Sequence, residues 1–210
     1  LASEPGQGGQ LELSSGRFRT RLSLAPAEGY PELLVPEGED KGAFPLRTRM
    51  PSGELVKALT HVRYAASNEE YRAIFRGVQL EFSPQGFRAV ASDGYRLALY
   101  DLPLPQGFQA KAVVPARSVD EMVRVLKGAD GAEADLALGE GVLALALEGG
   151  SGVRMALRLM EGEFPDYQRV IPQEFALRVQ VEGEALREAV RRVSVLSDRQ
   201  NHRVDLLLEE

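Results

Sequence analysis

The stretch that decides the fold is Phe44-Pro-Leu-Arg-Thr-Arg-Met-Pro-Ser-Gly-Glu-Leu-Val-Lys-Ala-Leu59, because the chain repeats it. It aligns without a gap on Phe175-Ala-Leu-Arg-Val-Gln-Val-Glu-Gly-Glu-Ala-Leu-Arg-Glu-Ala-Val190, at a displacement of 175 − 44 = 131 residues. A second match, between Glu28-Gly-Tyr-Pro-Glu32 and Gly162-Glu-Phe-Pro-Asp166, has a displacement of 165 − 31 = 134 residues. A period of this length predicts repeated domains rather than a solenoid.

The repeat divides the chain into three parts. We predict the C-terminal part of a first domain over 1–43, a complete central domain over 44–172 and the N-terminal part of a third domain over 173–210. Within the central domain, a strand, a helix and further strands occur around Ser52 and again around Ser118. This echo predicts two similar βαβββ halves. The fold class is therefore α+β, with two helices packed on one side of antiparallel sheet.

Short runs with alternating apolar residues dominate the chain and predict antiparallel strands. A hairpin is expected over 11–24, with its turn at Ser15-Gly16. Glycine and proline turns separate the further runs, which lie at 44–50, 78–82, 87–91, 95–100, 134–138, 142–147 and 153–160.

Three segments have helical periodicity instead. Ser52 is predicted to cap the first helix, and Ser118 with Glu121 to form a capping box at the start of the second. Each helix carries an apolar stripe. The stripes are Leu55, Leu59, Val62 and Ala66; Val119, Met122, Val123 and Leu126; and Leu186, Val190, Val193 and Ser197.

Composition excludes several classes of protein. The 210 residues include no cysteine, which rules out thiol catalysis, disulfides, Cys-ligated zinc and iron–sulfur clusters. The two histidines, His61 and His202, leave little for histidine-based sites, and we expect no cofactor. A net charge of −6 argues against a general polyanion binder. Because no apolar run approaches about 18 residues and the start lacks a signal-peptide pattern, we expect a cytoplasmic protein.

Two motifs resemble one known family. Ala91-Ser-Asp-Gly-Tyr-Arg-Leu-Ala98 resembles the Ala-Thr-Asp-Gly-His-Arg-Leu-Ala element of the bacterial DNA polymerase III beta subunit, the sliding clamp. Phe164-Pro-Asp-Tyr-Gln-Arg-Val170 resembles that family's Phe-Pro-Asp-Tyr-Arg-Arg-Val element. The similarity runs in order through nearly the whole chain, which would then be a partial chain. It implies the DNA clamp fold, with repeated domains of antiparallel sheet and two helices on one face of each.

The resemblance also implies a function in DNA replication. Members of the family are non-catalytic processivity factors, and two subunits close head to tail into a homodimer ring around double-stranded DNA of any sequence. They dock the replicative DNA polymerase catalytic subunit, the clamp loader, other DNA polymerases and repair proteins through short linear motifs. The resemblance therefore implies a cytoplasmic, nucleoid-associated DNA-binding protein without a cofactor.

The same resemblance implies three sets of functional residues. Tyr95 stands where the family often has histidine, and Phe75 where it often has leucine. The peptide-binding groove would contain Phe75, Ser92, Gly94, Tyr95, Arg96, Leu97, Pro165, Arg169 and Val170. The DNA channel would be lined by Lys57, Arg63, Arg117, Arg124, Lys127, Arg187, Arg191 and Arg192, on or beside the three helices. Val195 and Leu196 would form the subunit interface.

An alternative function comes from the carboxylates Glu161, Glu163 and Asp166. Such a cluster could bind a divalent cation or supply paired acids, which predicts a carboxylate-dependent α+β hydrolase. Two plainer interpretations also remain open. Asp93-Gly94 is most often simply a tight turn, and cations on amphipathic helices are most often solvated.

Overall fold

The computed structural model describes residues 9–25, 42–128, 131–147, 152–197 and 203–207. The chain divides into two compact units, Leu1–Pro165 and Asp166–Glu210. The domain boundaries expected after residues 43 and 172 stay predictions. His202 and the segment 28–32 of the second internal match lie outside the described residues.

Most strands and helices lie where the periodicity predicted them. They are β1 Gln10–Ser15, β2 Phe18–Ser23, β3 Leu46–Pro51, α1 Ser52–Arg63, β4 Gly77–Ser83, β5 Gly86–Ser92, β6 Leu97–Leu102, β7 Ala110–Pro115, α2 Ala116–Lys127, β8 Glu133–Gly139, β9 Val142–Leu147, β10 Arg154–Arg158 and α3 Gly183–Ser194. Short 3₁₀ turns occupy Ala73–Arg76 and Tyr167–Val170. Strands β1 and β2 form the predicted hairpin, with Gly16 at a φ of 60° in its turn.

The first unit contains two four-stranded antiparallel sheets that exchange their first strands. One sheet has the order β10-β9-β8-β3 and the other β6-β5-β4-β7. The predicted βαβββ halves are thus present, but β3 pairs with β8 of the other half and β7 pairs with β4. In the first of these pairs Leu46 lies opposite Leu138, and in the second Val78 lies opposite Val114. The exchange places both halves in one hydrophobic core.

Helices α1 and α2 pack against each other and against the sheets. On α1, Leu55, Leu59 and Val62 are fully buried, as the stripe predicted. On α2, Val119, Met122 and Leu126 are buried while Val123 is only half-buried. One apolar cluster contains these residues together with side chains from both sheets. None of the helices in the described part of the chain is long and apolar enough to cross a membrane.

The helix starts differ from the predicted caps. Helix α1 begins at Ser52 and α2 at Ala116, so the N-cap positions are Pro51 and Pro115. Ser118 is therefore inside α2 rather than its cap. The reason is that each helix directly follows a strand ending in proline, whose φ of −58° or −52° suits the junction.

Helix α3, in the second unit, has the side-chain cap that α1 and α2 lack. The carboxylate of Glu182 accepts hydrogen bonds from the amides of Glu184, at 3.1 Å, and Ala185, at 2.5 Å. The helix ends at Ser194, so Ser197 lies beyond the stripe to which it was assigned.

Candidate functional site

The turn between β5 and β6, together with the strand residue on each side of it, contains five of the nine predicted groove residues, and the Asp93 carboxylate organises the turn. Its Oδ1 accepts hydrogen bonds from the amides of Tyr95, at 2.9 Å, and Arg96, at 3.0 Å. Its Oδ2 accepts from Nε of Arg96 at 2.9 Å. The Ser92 hydroxyl accepts from the Gly94 amide at 3.1 Å and donates to the Arg96 carbonyl at 2.8 Å. This local network is consistent with a rigid turn.

The protonation of Asp93 follows from these contacts. Burial alone would raise the pKa of its carboxyl group. The amides of Arg96 and Tyr95 and the charge of the Arg96 guanidinium stabilise the carboxylate more strongly, so the pKa lies below its ordinary value of 3.8. The carboxylate is therefore charged, and able to accept all three hydrogen bonds, throughout the neutral pH range.

Arg72 is a residue that the sequence analysis missed, and it fixes the turn from the side. Its Nη1 donates to the Asp93 carbonyl oxygen at 2.7 Å. Its guanidinium carbon lies 5.2 Å from the centre of the Tyr95 ring and 5.8 Å from that of Tyr71. Both distances are within the range of cation–π contacts. The signal in the sequence was weak, because Arg72 and Asp93 are 21 residues apart and only the tertiary fold joins them.

The backbone of the turn favours glycine at position 94. Its φ of 90° is unfavourable for any residue with a side chain. A Cβ at this position would also lie 2.7 Å from Nη1 of Arg72, so the end of that arginine side chain would have to shift. The glycine therefore lets the backbone of the turn approach the arginine.

The aromatic and apolar groove residues around the turn differ in their exposure to solvent. Tyr95 is 87% exposed, whereas Phe75 and Leu97 are half-buried. The Phe75 ring meets the Phe164 ring edge-on at 6.0 Å between centroids. Phe164 directly precedes Pro165, so the structure brings Phe75 and the start of the second predicted motif together.

The last two predicted groove residues belong to the second unit. There the Arg169 Nε lies 2.8 Å from the Asp166 carboxylate. Val170 closes the 3₁₀ turn and is exposed. Their assignment to the groove stays a prediction from the family motif.

The predicted DNA-channel cations lie on or directly beside the three helices, but half of them are paired with carboxylates. The pairs are Lys57 with Glu54, Arg63 with Asp120, Arg124 with Glu121 and Arg187 with Glu184. Glu54 also raises the pKa of Lys57 above 10.5 through its hydrogen bond and its charge. The other four cations have no carboxylate partner among the described residues; they are Arg117, Lys127, Arg191 and Arg192. The uncompensated positive charge on the helices is therefore smaller than the sequence alone suggested.

The predicted interface residues lie at the end of α3. Val195 is the C-cap of the helix and Leu196 follows it. They are 80% and 89% exposed, so both apolar side chains are available for contact with another surface. Such exposure of two adjacent large apolar residues is compatible with an interface.

The described residues give no support for the alternative hydrolase. Glu161, Glu163 and Asp166 are all exposed. Asp166 is paired with Arg169, a basic partner that the sequence analysis did not identify. Within the described ranges, no three histidine, cysteine or acidic residues are placed to hold a metal ion.

Comparison with known proteins agrees with the sequence motifs. Residues 49–166 match a family model described as the central domain of the DNA polymerase III beta subunit. The beta sliding clamp of Haemophilus influenzae is 32% identical over 199 residues, which are 94% of this chain and 52% of that protein. The beta sliding clamp of Escherichia coli K12 is 27% identical over 205 residues, covering 97% and 53% of the two chains.

Solved structures give the same result. A sliding clamp from Pseudomonas aeruginosa, solved bound to griselimycin, has a TM-score of 0.78 and 27% identity over 94% of this chain and 51% of that one. The DNA polymerase III beta subunit of Thermotoga maritima has a TM-score of 0.75 and 29% identity, covering 90% and 49%. The chain spans about half the length of the curated relatives it matches. None of these relatives supports the hydrolase alternative.

Proposed function

The chain belongs to the DNA polymerase III beta subunit family, and from that premise we propose that it acts as a sliding clamp that encircles duplex DNA. The observation that carries this proposal is the family match over residues 49–166, which span nearly all of the two exchanged sheets and both helices between β3 and β10. The protein would be a non-catalytic processivity factor that works without a cofactor on nucleoid DNA in the cytoplasm. It would form a homodimer ring, with Val195 and Leu196 at the subunit contact.

A clamp must stay on DNA without reading its sequence and without stopping. That task requires cations that face the phosphate backbone and no side chains that recognise base edges. Four helix cations that have no carboxylate partner among the described residues suit this role; they are Arg117, Lys127, Arg191 and Arg192. Because carboxylates compensate the charge of the other four helix cations, we propose a weak electrostatic attraction to DNA rather than tight binding.

The turn around Asp93 suits the docking of short peptides from the replicative polymerase, the clamp loader and repair proteins. Its hydrogen bonds order the turn before a partner arrives, which reduces the entropic cost of binding. Leu97 and Phe75 offer half-buried apolar surface for an anchor side chain, and exposed Tyr95 extends it. Arg96 keeps guanidinium donors beyond the one bonded to Asp93, and these can orient a peptide carbonyl. A Pseudomonas aeruginosa clamp of the same fold has been solved with griselimycin bound, which supports a ligand site on this fold.

DNA association is tested with the 210-residue chain and two fluorescent duplexes of unrelated sequence, by anisotropy across a salt series. We expect equal, weak affinity for both duplexes. The logarithm of the association constant should fall with log salt, with a slope of about −0.9 for each phosphate contacted. Binding that prefers one duplex and persists at high salt would contradict the proposal.

Peptide docking is tested with a labelled peptide from the tail of the replicative polymerase. Leu97→Ala removes an anchor contact and should cost about 1 to 3 kcal/mol, a loss of roughly ten- to hundredfold in affinity. The matched control is Leu99→Ala, which alters the same face of β6 at a similar burial but two residues farther from the turn. If both variants bind as tightly as the wild type, the docking site lies elsewhere.

A further inference from the structure

A basic cavity of about 410 Å³ lies beside the C-terminal end of α1 and the N-terminal end of α2. Three arginines from three segments line it. Arg63 is the last residue of α1, Arg76 ends the 3₁₀ turn before β4, and Arg117 is in the first turn of α2. Ser67 and Asn68 add polar groups, and no carboxylate is among the described residues that line the cavity. The cavity is therefore suited to an anion.

Strand pairing explains why Arg76 and Arg117 line the same cavity. Gly77, the first residue of β4, lies opposite Pro115, the last residue of β7. Arg76 directly precedes the first of these partners, and Arg117 follows the second by two residues. The sequence analysis gave Arg76 no role, because the 3₁₀ turn and α2 are neighbours only through this register.

The three arginines differ in their hydrogen bonds and ion pairs. Nε of Arg63 donates to the Ala116 carbonyl at 2.9 Å, and a terminal nitrogen lies 2.8 Å from the Asp120 carboxylate. Arg63 is therefore fixed, and its charge is compensated. Arg76 and Arg117 have no carboxylate partner within the described residues, so they leave the cavity with uncompensated positive charge.

Concave sites lined by one sign of charge concentrate counter-ions, and guanidinium groups match the geometry of phosphate oxygens. A cavity of this volume admits a phosphate group with part of the attached sugar. Apolar residues complete the lining; they are Ala73, Pro115, Ala116 and Met160.

We propose that this cavity is a phosphate-binding site that receives one backbone phosphate of duplex DNA. The ligand class follows from the lining of the cavity, whereas the identification of DNA as its source rests on the proposed function. A discrete contact of this kind would add to the diffuse attraction of the helices. It would hold the duplex at one point on the central domain without reading the bases.

The test uses the complete chain, a labelled duplex and inorganic phosphate as separate probes. Arg76→Ala is the main variant, because Arg76 is exposed and lies outside the helices. Arg158→Ala is the matched control, since it removes the same charge from the exposed side of β10, outside the cavity. We expect Arg76→Ala to lower duplex affinity about three- to tenfold at low salt and to reduce the salt slope by about 0.9. Arg158→Ala should change affinity by less than about twofold.

Inorganic phosphate distinguishes the two sources of the ligand, with the NMR signals of the arginine Nε–H groups as the readout. Shifts at Arg76 and Arg117, but not at Arg158, support a phosphate site in the cavity. Those shifts together with unchanged duplex affinity in Arg76→Ala would overturn DNA as the source. Duplex binding by the wild type, with no phosphate shift and no effect of Arg76→Ala, would overturn the cavity site and leave the clamp function standing. Phosphate shifts without any duplex binding would support the cavity site and contradict the proposed function.

Discussion

Replacement of Arg72 by alanine should loosen the turn around Asp93 without unfolding the domain. The variant loses the hydrogen bond from Nη1 to the Asp93 carbonyl and the cation–π contacts of the guanidinium with Tyr95 and Tyr71. Hydrogen bonds from charged groups contribute about 1.5 to 3 kcal/mol. Each exposed cation–π contact adds about 0.5 to 1 kcal/mol. The 3.7 Å ion pair with Glu69 is exposed and adds close to nothing.

Because these groups are partly solvated, we reduce the sum of these ranges, about 2.5 to 5 kcal/mol, to a local loss of about 2 to 3 kcal/mol. This corresponds to a rise of roughly 30- to 150-fold in the population of the open turn. The amides of Tyr95 and Arg96 report on that opening, since both donate to the Asp93 carboxylate. Their hydrogen exchange, measured by NMR, should accelerate while exchange in the β4–β5 ladder stays unchanged.

Arg88→Ala is the matched control for this experiment. Arg88 lies on β5 in the same unit and forms an ion pair with Asp101 on the neighbouring strand β6, away from the turn. Its removal should leave exchange at Tyr95 and Arg96 as in the wild type. If Arg72→Ala behaves like this control, the Asp93 carboxylate orders the turn alone and the reasoning about Arg72 is wrong.

Three further predictions concern pH, packing and DNA. Because the pKa of Asp93 lies below 3.8 in the folded protein, its stabilisation of the turn is present above about pH 3.8 and lost as the pH falls through the folded value. The NMR chemical shifts of the turn amides should change as the pH falls through the folded pKa, and Asp93→Asn should abolish that change. A change centred at a higher pH would contradict its assignment to Asp93. Gly77→Ala should lower the free energy of unfolding by about 1 to 3 kcal/mol in denaturant titrations, since its Cβ would lie 2.4 Å from Val113 Cγ1 and 2.7 Å from Met160 Sδ. Gly53→Ala on α1 has open space around it and should not destabilise the protein; equal losses at both glycines would refute the packing argument. Lys127→Ala should weaken duplex binding more than Arg124→Ala, because Glu121 already compensates the charge of Arg124. Anisotropy titrations that give the reverse order would show that the Arg124–Glu121 pair does not persist in solution.

The sequence by itself determined the local elements and the family. Alternating residues located the strands within a few positions, except β7, for which no run was predicted, and the stripes of α1 and α2 identified most of the buried residues of each helix. These signals are readable because the period of a strand or a helix is a property of neighbouring residues. The motifs at 91–98 and 164–170 pointed to the DNA polymerase III beta subunit family, and the family match over residues 49–166 confirms it.

Only the tertiary structure decided which of these elements meet. The exchange of β3 and β7 between the two sheets, the contact of Arg72 with Asp93 and the compensation of Arg63 by Asp120 join residues between 93 − 72 = 21 and 138 − 46 = 92 positions apart. Such contacts are set by strand register and by the packing of helices on sheets. Periodicity shows which face of an element is apolar, but it does not show which other element covers that face.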